Sequence, residues 1–390
     1  MMRILIRFIA WLQTSFFLRF FGVRPERRNA FLESRFFNAQ ASQEHVTWFH
    51  ASSLGELEML RPLIDDFYAR GVKIGVSCFS DSALRSLKAL APIAVYADLS
   101  PREDEWKRLF ERFKVNKLIL AKYDVWPGLM NAATLAKVPV IVINAQMRRS
   151  LSRMMKLFVV LGVKFPRLFL FPNDIISEGE LQKNITGDKK LFLSVDPRWE
   201  RVARRLKHAK SSSAVVQWSE RMVHLPHPIG VLGSIWVDDL NVILPALKKT
   251  KDSIVLVPHD LSEANLSRIE NLIEDADLNH RALLVNEMGI LVELYRLADW
   301  AFVGGGFGKG IHSVLEPSLY GIPVACGPAR FSEFSETREL SEMELLTRCE
   351  TTESFARWLS EKQKSGMPKN CLESKHKQYR ALLEECIRIQ

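Results

Sequence analysis

Cysteine is sparse in this 390-residue chain: Cys78, Cys326, Cys349, Cys371 and Cys386 are the five. They are too few and too scattered for a disulfide scaffold, and no two form a C-x-x-C pair, which argues against a structural zinc site. A reducing, cytoplasmic setting fits this usage. Long uncharged apolar runs are missing from the first 23 residues, where the longest, Phe8 to Leu18, has 11 residues. A membrane-crossing helix needs about 20. No small-residue cleavage site follows that run, which removes a signal peptide. There is no internal repeat and no low-complexity tract, and no Ser-His-Asp order, His/Glu metal pair or Asp-x-Asp-like metal signature stands out. With 47% hydrophobic and 25% charged residues, the chain is neither disordered nor a multi-spanning membrane protein. Its length suits two domains, each able to bury a core.

What is present is basic charge, and it is concentrated. The formal net charge is +9. Residues 1–40 carry +5 and residues 147–170 carry +6, so the remainder sits near −2. Both patches mix arginine with large apolar residues. In the first, Arg3, Arg7, Trp11, Phe16 and Phe17 read as a helix lying in a membrane interface, rings inserted and guanidinium groups at lipid phosphates. A helix packed on the domain with solvated arginines is the plainer alternative. In the second, Arg148, Arg149 and Arg153 repeat the pattern. The expectation is one membrane-facing surface drawn to anionic lipid, and no nucleic-acid partner, since no such motif is present.

Strand-length apolar runs then alternate with helix-length amphipathic stretches. The rhythm runs from Val46–His50 to Pro139–Ile143, blurs, and restarts at Gly230–Ile235 to end near Cys326. This is the βαβ pattern of two doubly wound α/β domains. The expected division is an N-terminal helical segment at 1–40, an α/β domain at 41–205, a linker at 206–228, a second α/β domain at 229–365 and a closing helix at 366–390. Ligands of such folds bind outside the carboxyl ends of the strands, so chemistry is expected in strand-to-helix loops.

Two loops stand out. His50-Ala-Ser-Ser53-Leu-Gly55-Glu56 leaves a strand and enters a helix. Ser53 and Glu56 have capping-box spacing, and Glu56 is also placed to act as a general base; the two readings are compatible. The second loop contains Gly304, Gly305, Gly306, Gly308 and Gly310, then His312, Ser313 and Glu316. It matches neither G-x-G-x-x-G nor the P-loop. Bare N–H groups there and at a helix start suit a phosphate, with Ser313 and Glu316 again at capping-box spacing. Lys122 and Asp124, before Trp126-Pro127, also follow a strand; Lys122 suits an anionic ligand or is simply solvated. His259, in Pro258-His259-Asp260, also follows a strand; a lone His there is more often structural than catalytic. Asp238-Asp239 reads as an acidic first helical turn.

As a set these loops resemble the 3-deoxy-D-manno-octulosonic acid (Kdo) transferases of lipid A assembly. HASSLGE is similar to that family's H-A-x-S-x-G-E, the glycine loop with its following strand matches too, and Gly233-Ser234-Ile235-Trp236, VPHDLSEA and INAQM have counterparts. The chain departs from the commoner pattern at Lys122, Ile235, Ser313 and Gln146. The resemblance implies a GT-B fold of two Rossmann-like domains with a cleft between them. It implies an inverting, metal-independent and cofactor-free transfer of Kdo from CMP-Kdo to a lipid A precursor at the cytoplasmic face of the inner membrane. Glu56 would be the base. Ser53, Gly55, Lys122 and Asp124 would support acceptor or transition state. Ser234, Trp236, His259, His312, Ser313, Glu316 and the glycines would hold the donor. The departures keep two alternatives open: another sugar nucleotide, or a catalytically silent membrane-bound relative.

Overall fold

The computed structural model describes residues 35–37, 44–78, 90, 95–98, 103–122, 124–147, 165–185, 187–207, 212–308, 310–362, 366 and 370–389. The membrane-contact candidates Arg3, Arg7, Trp11, Phe16, Phe17, Arg148, Arg149 and Arg153 lie outside these. The chain forms two compact units: Met1–Arg201 with Ser374–Gln390, and Val202–Glu373.

The first unit holds strands β1 (Arg35–Phe37), β2 (Val46–Ala51), β3 (Ile74–Cys78), β4 (Val95–Asp98), β5 (Val115–Ala121), β6 (Val140–Ile143), β7 (Leu168–Phe171) and β8 (Lys189–Leu191). They lie in the order β1-β4-β3-β2-β5-β6-β7-β8, parallel except for β1 against β4. Every residue of β2, β3, β6 and β7 is buried, which explains why these strands read as runs rather than alternations. Burial inside β2 drives the His50 imidazole down to about 3, so it is neutral and structural; its Nδ1 lies 2.9 Å from Ser77 Oγ.

The second unit holds β9 (Ile229–Ile235), β10 (Ser253–Pro258), β11 (Ala282–Leu284), β12 (Trp300–Val303), β13 (Val324–Cys326) and β14 (Leu346–Arg348), all parallel, in the order β11-β10-β9-β12-β13-β14. Residues 206–228, expected as a linker, include a helix, Ser213–Val223, that buries Trp218 and Met222.

The C-terminal helix, Cys371–Arg388, returns to the first unit. Its last carbonyls need partners. The buried Lys117 of β5 donates to Cys386 O at 3.2 Å and Ile387 O at 2.9 Å, Tyr379 Oη donates to Asp66 at 2.7 Å, and Arg70 pairs with Glu384 through both terminal nitrogens.

Each sheet has one point where the winding reverses. In the first, β2 is followed outward by β3 and β4, and β5 returns to the other side of β2. In the second, β9 is followed by β10 and β11, and β12 returns beside β9. Ligands gather outside such switch points. The loops after β2 and β5 carry Glu56 and Asp124; those after β9 and β12 carry Trp236 and the glycines.

Candidate active site

At the first switch point, β2 ends and Ser53 caps the helix Leu54–Ala69. The capping box forms as its spacing predicts: Ser53 N–H donates to Glu56 Oε2 at 2.9 Å, and Glu56 N–H donates to Ser53 Oγ at 3.4 Å. This fixes the Glu56 carboxylate at the strand edge, 7% exposed. Asp124, only 2% exposed, accepts a 3.0 Å bond from Ser52 N–H. Burial, and then the Glu56 charge beside it, hold the Asp124 carboxyl well above the usual carboxylate range. This favours the protonated form of Asp124, whose carboxyl hydrogen-bonds with Glu56. One N–H and one shared proton leave Glu56 lone pairs for a substrate hydroxyl. Gly55 is exposed, and a Cβ there would meet nothing within 4 Å. The fold does not demand this glycine.

Lys122 is turned elsewhere. Its charge acts on Asp196, and it belongs with Asn144, Gln146 and Arg198 rather than with the proton pair. Asp196 and Arg198 carried no sequence signal, lying in the stretch where the βαβ rhythm blurs.

At the second switch point three rings stack. His259 and His312 have centroids 4.3 Å apart at 21°, and Trp236 lies 4.8 Å from His259 at 31°. Trp236 Nε1–H donates to His312 Nε2 at 3.0 Å, so the imidazole proton is on Nδ1. Burial, and then His259, lower the His312 pKa to about 4, which makes it neutral near pH 7. The three loops drawn together here are sequence-distant; the glycine loop and His259 were candidates from their own residues, Trp236 only through the resemblance.

The glycine loop departs from expectation. Gly304 N–H donates to Gly233 O at 2.9 Å, and Gly305 N–H donates to Asp239 Oδ2 at 2.7 Å. These two groups are taken within the unit and do not face a phosphate. The glycines are there for close approach: a Cβ on Gly304 would lie 2.4 Å from Ser234 O, and one on Gly306 2.4 Å from Gly327 N. The organiser is Asp239, fully buried, which also accepts from Trp236 N–H at 3.0 Å and Phe307 N–H at 3.1 Å. Burial raises its pKa against these donors. The capping box expected at Ser313 and Glu316 is not formed: Ser313 is exposed, the helix is four residues long, Leu315–Ser318, and Val314 is its N-cap with no side-chain bond. Glu316 instead lies where its charge acts on buried Tyr295, whose hydroxyl backs against Gly233. Gly308 lies against Asp238, and Arg330 packs over Gly310; Arg330 is a cation at this loop with no counterpart in the motifs.

A family model described as 3-deoxy-D-manno-octulosonic-acid transferase (kdotransferase) matches residues 27–170. The 3-deoxy-D-manno-octulosonic acid transferase of Aquifex aeolicus is 26% identical over 363 residues, covering 85% of this chain and 93% of that protein. That of Chlamydophila psittaci is 27% identical over 309 residues, covering 73% and 69%. A bifunctional glycosyltransferase/methyltransferase of Fusobacterium nucleatum is 25% identical over 372 residues; the match takes in 85% of this chain but only 55% of that longer protein. In fold, a glycosyltransferase from Rickettsia africae superposes with a TM-score of 0.60 at 12% identity, over 89% of this chain and 98% of that one. MurG of Acinetobacter baumannii gives 0.56 at 11% identity, over 88% and 99%. The fold is that of GT-B glycosyltransferases, and over most of its length the chain is similar to Kdo transferases.

Proposed function

We propose that this protein is an inverting transferase that moves Kdo from CMP-Kdo to a hydroxyl of a lipid A precursor. The observation that carries the reading is the Glu56–Asp124 pair: a positioned carboxylate beside a second buried carboxyl whose pKa burial and Glu56 raise, at a topological switch point. In the reaction, Glu56 removes the acceptor proton while the acceptor oxygen bonds to the anomeric carbon. The bond from that carbon to the CMP phosphate oxygen breaks, and its electron pair leaves on the phosphate. Asp124, in its protonated form, holds Glu56 without adding charge. The leaving phosphate needs fixed donors. Arg330 at the glycine loop and the His259–His312–Trp236 stack are the candidates in the second unit, with Glu316 toward the ribose. The chemistry is assigned to these groups and invokes no metal.

The acceptor's acyl chains would hold it in a bilayer, so the enzyme works at the membrane surface, on the cytoplasmic face where a nucleotide-activated sugar is found. Among the described residues no helix is long and apolar enough to cross a membrane. Ile175, Ile176 and Leu193, exposed by 74, 60 and 53%, supply apolar contact on the first unit, beyond the basic segment.

Replacing Glu56 tests the reading. Glu56→Gln should lower transfer from CMP-Kdo by about 10²–10⁴-fold, while calorimetric CMP affinity stays unchanged. Near-normal turnover in a variant that still binds CMP would remove Glu56 as the base. Binding of UDP in place of CMP would favour another sugar nucleotide.

A further inference from the structure

One carboxylate fixes both partners of an indole–imidazole bond in the second unit. Trp236 precedes the helix Val237–Leu247, and its backbone N–H donates to Asp239 at 3.0 Å. Asp239 also takes the N–H groups of Gly305 and Phe307. These belong to the loop whose Gly304 carbonyl accepts from His312 N–H at 3.2 Å. The two side chains meet on that frame, where Trp236 Nε1–H donates to His312 Nε2 at 3.0 Å. The rings lie edge to edge, centroids 6.4 Å apart and planes 14° from parallel. His259 covers both, its centroid 4.8 Å from Trp236 and 4.3 Å from His312.

This bond runs one way only. An indole nitrogen donates and cannot accept, so His312 Nε2 is the unprotonated nitrogen and the ring proton sits on Nδ1. Burial, and then His259, lower the pKa to about 4, so the ring takes no second proton near neutrality. Nδ1–H has no protein partner among the described residues, yet it is not a buried atom, so it is open to a ligand. Arg330, packed over Gly310, brings positive charge to the same loop, which suits an anionic acceptor.

We propose that Trp236 is a positioning residue that holds His312 in the Nδ1–H tautomer, and that this N–H donates to a phosphate oxygen of the nucleotide. The assignment deepens the transferase reading and rests on it. It also limits the chemistry. A neutral imidazole that gave up its Nδ1 proton would become an imidazolate. His312 therefore stabilises charge on the leaving phosphate and transfers no proton; the acceptor proton that goes to Glu56 is the one moved.

The test uses the full chain with ¹⁵N-labelled histidine, the His312 signals assigned by their loss in His312→Asn. They should show Nδ1 protonated in the wild type and a shift toward the Nε2–H form in Trp236→Phe, which keeps an aromatic ring but no donor. Calorimetric CMP affinity in Trp236→Phe should fall about 3- to 10-fold, set by the fraction of imidazole left in the productive tautomer. His312→Ala should lose about 10- to 100-fold for CMP, the range of a hydrogen bond to a charged group, and nothing for cytidine. His312→Asn puts an amide N–H where Nδ1–H stood and should recover most of that loss. In the His312→Asn background, Trp236→Phe should cost nothing further, because an amide has no tautomer to hold. Additive effects in that double variant, a wild-type His312 protonated on Nε2, or equal losses for CMP and cytidine each overturn the proposal. If the chain binds only uridine nucleotides, UMP against uridine gives the same readout. None of these measurements needs turnover, so a wild-type chain that transfers nothing sinks the transferase reading and still leaves this proposal decided.

Discussion

At the scale of single residues, one loop serves two roles at once. The Ser53–Glu56 box that starts a helix also delivers a carboxylate to the sheet edge, so the structural and catalytic readings of the motif coexist. What spacing left unread is the state of Asp124. A carboxyl two residues past a lysine looks like an ordinary acid; only the fold shows it buried and facing Glu56. Its folded pKa is raised, so the native state binds its proton more tightly than the unfolded chain. The stability this group contributes is full below about pH 4 and is lost as pH rises toward the raised value. Asp124→Asn should therefore be more resistant to urea than the wild type at pH 7, with the gap closing below pH 4. An amide still accepts from Ser52 N–H and donates to Glu56, so kcat/KM should stay within about tenfold, whereas Asp124→Leu, which frees Glu56 to move, should cost about 10²-fold. Equal urea midpoints for wild type and Asp124→Asn at pH 7 would show that the wild-type carboxyl is ionised.

At the scale of elements, the glycine loop was legible as a site but not as a mechanism. Five glycines in seven residues mark a backbone under constraint. The sequence does not say whether a ligand or another strand supplies that constraint. Here it is the backbone of Ser234 and Gly327, and the anchor is Asp239, which sequence reasoning assigned to a helix dipole. The alternation of strands and helices was readable because buried parallel strands and their covering helices differ in period. The strand order was not, because pairing across a sheet is non-local. Nor was the return of the C-terminal helix to the first unit, which depends on Lys117, some 270 residues away in sequence. Asp239→Asn gives the sharpest element-scale expectation. The carboxylate takes N–H donors on both oxygens, so an amide must turn its own N–H toward one of them. The cost of a broken buried network of charged hydrogen bonds is about 2–4 kcal/mol. It should appear as a lowered urea midpoint, together with weaker CMP binding, since Trp236 and the loop lose the group that joins them. Unchanged CMP affinity would separate the loop from the donor.

At the scale of the whole molecule, the informative quantity is where the charge lies. A net +9 spread evenly would describe a mildly basic surface with no preferred partner. Instead the excess belongs to residues 1–40 and 147–170, and the rest is close to neutral. Both segments combine arginine or lysine with phenylalanine, leucine and methionine, the composition that seats a polypeptide at a lipid interface. A juxtamembrane basic residue contributes about 1 kcal/mol on an anionic surface. Neutralising Arg148, Arg149 and Arg153 together as glutamines should then weaken binding to phosphatidylglycerol-containing vesicles by roughly 100-fold at low salt. The difference should shrink as ionic strength rises and the Debye length falls below about 10 Å. Binding to uncharged phosphatidylcholine vesicles should change little, because the apolar side chains are untouched. CMP affinity should not change, because none of the three residues is among those that build the ring stack. Vesicle binding that ignores the triple substitution would mean that apolar insertion alone carries the protein to the membrane, and that the arginines of the second patch serve another surface.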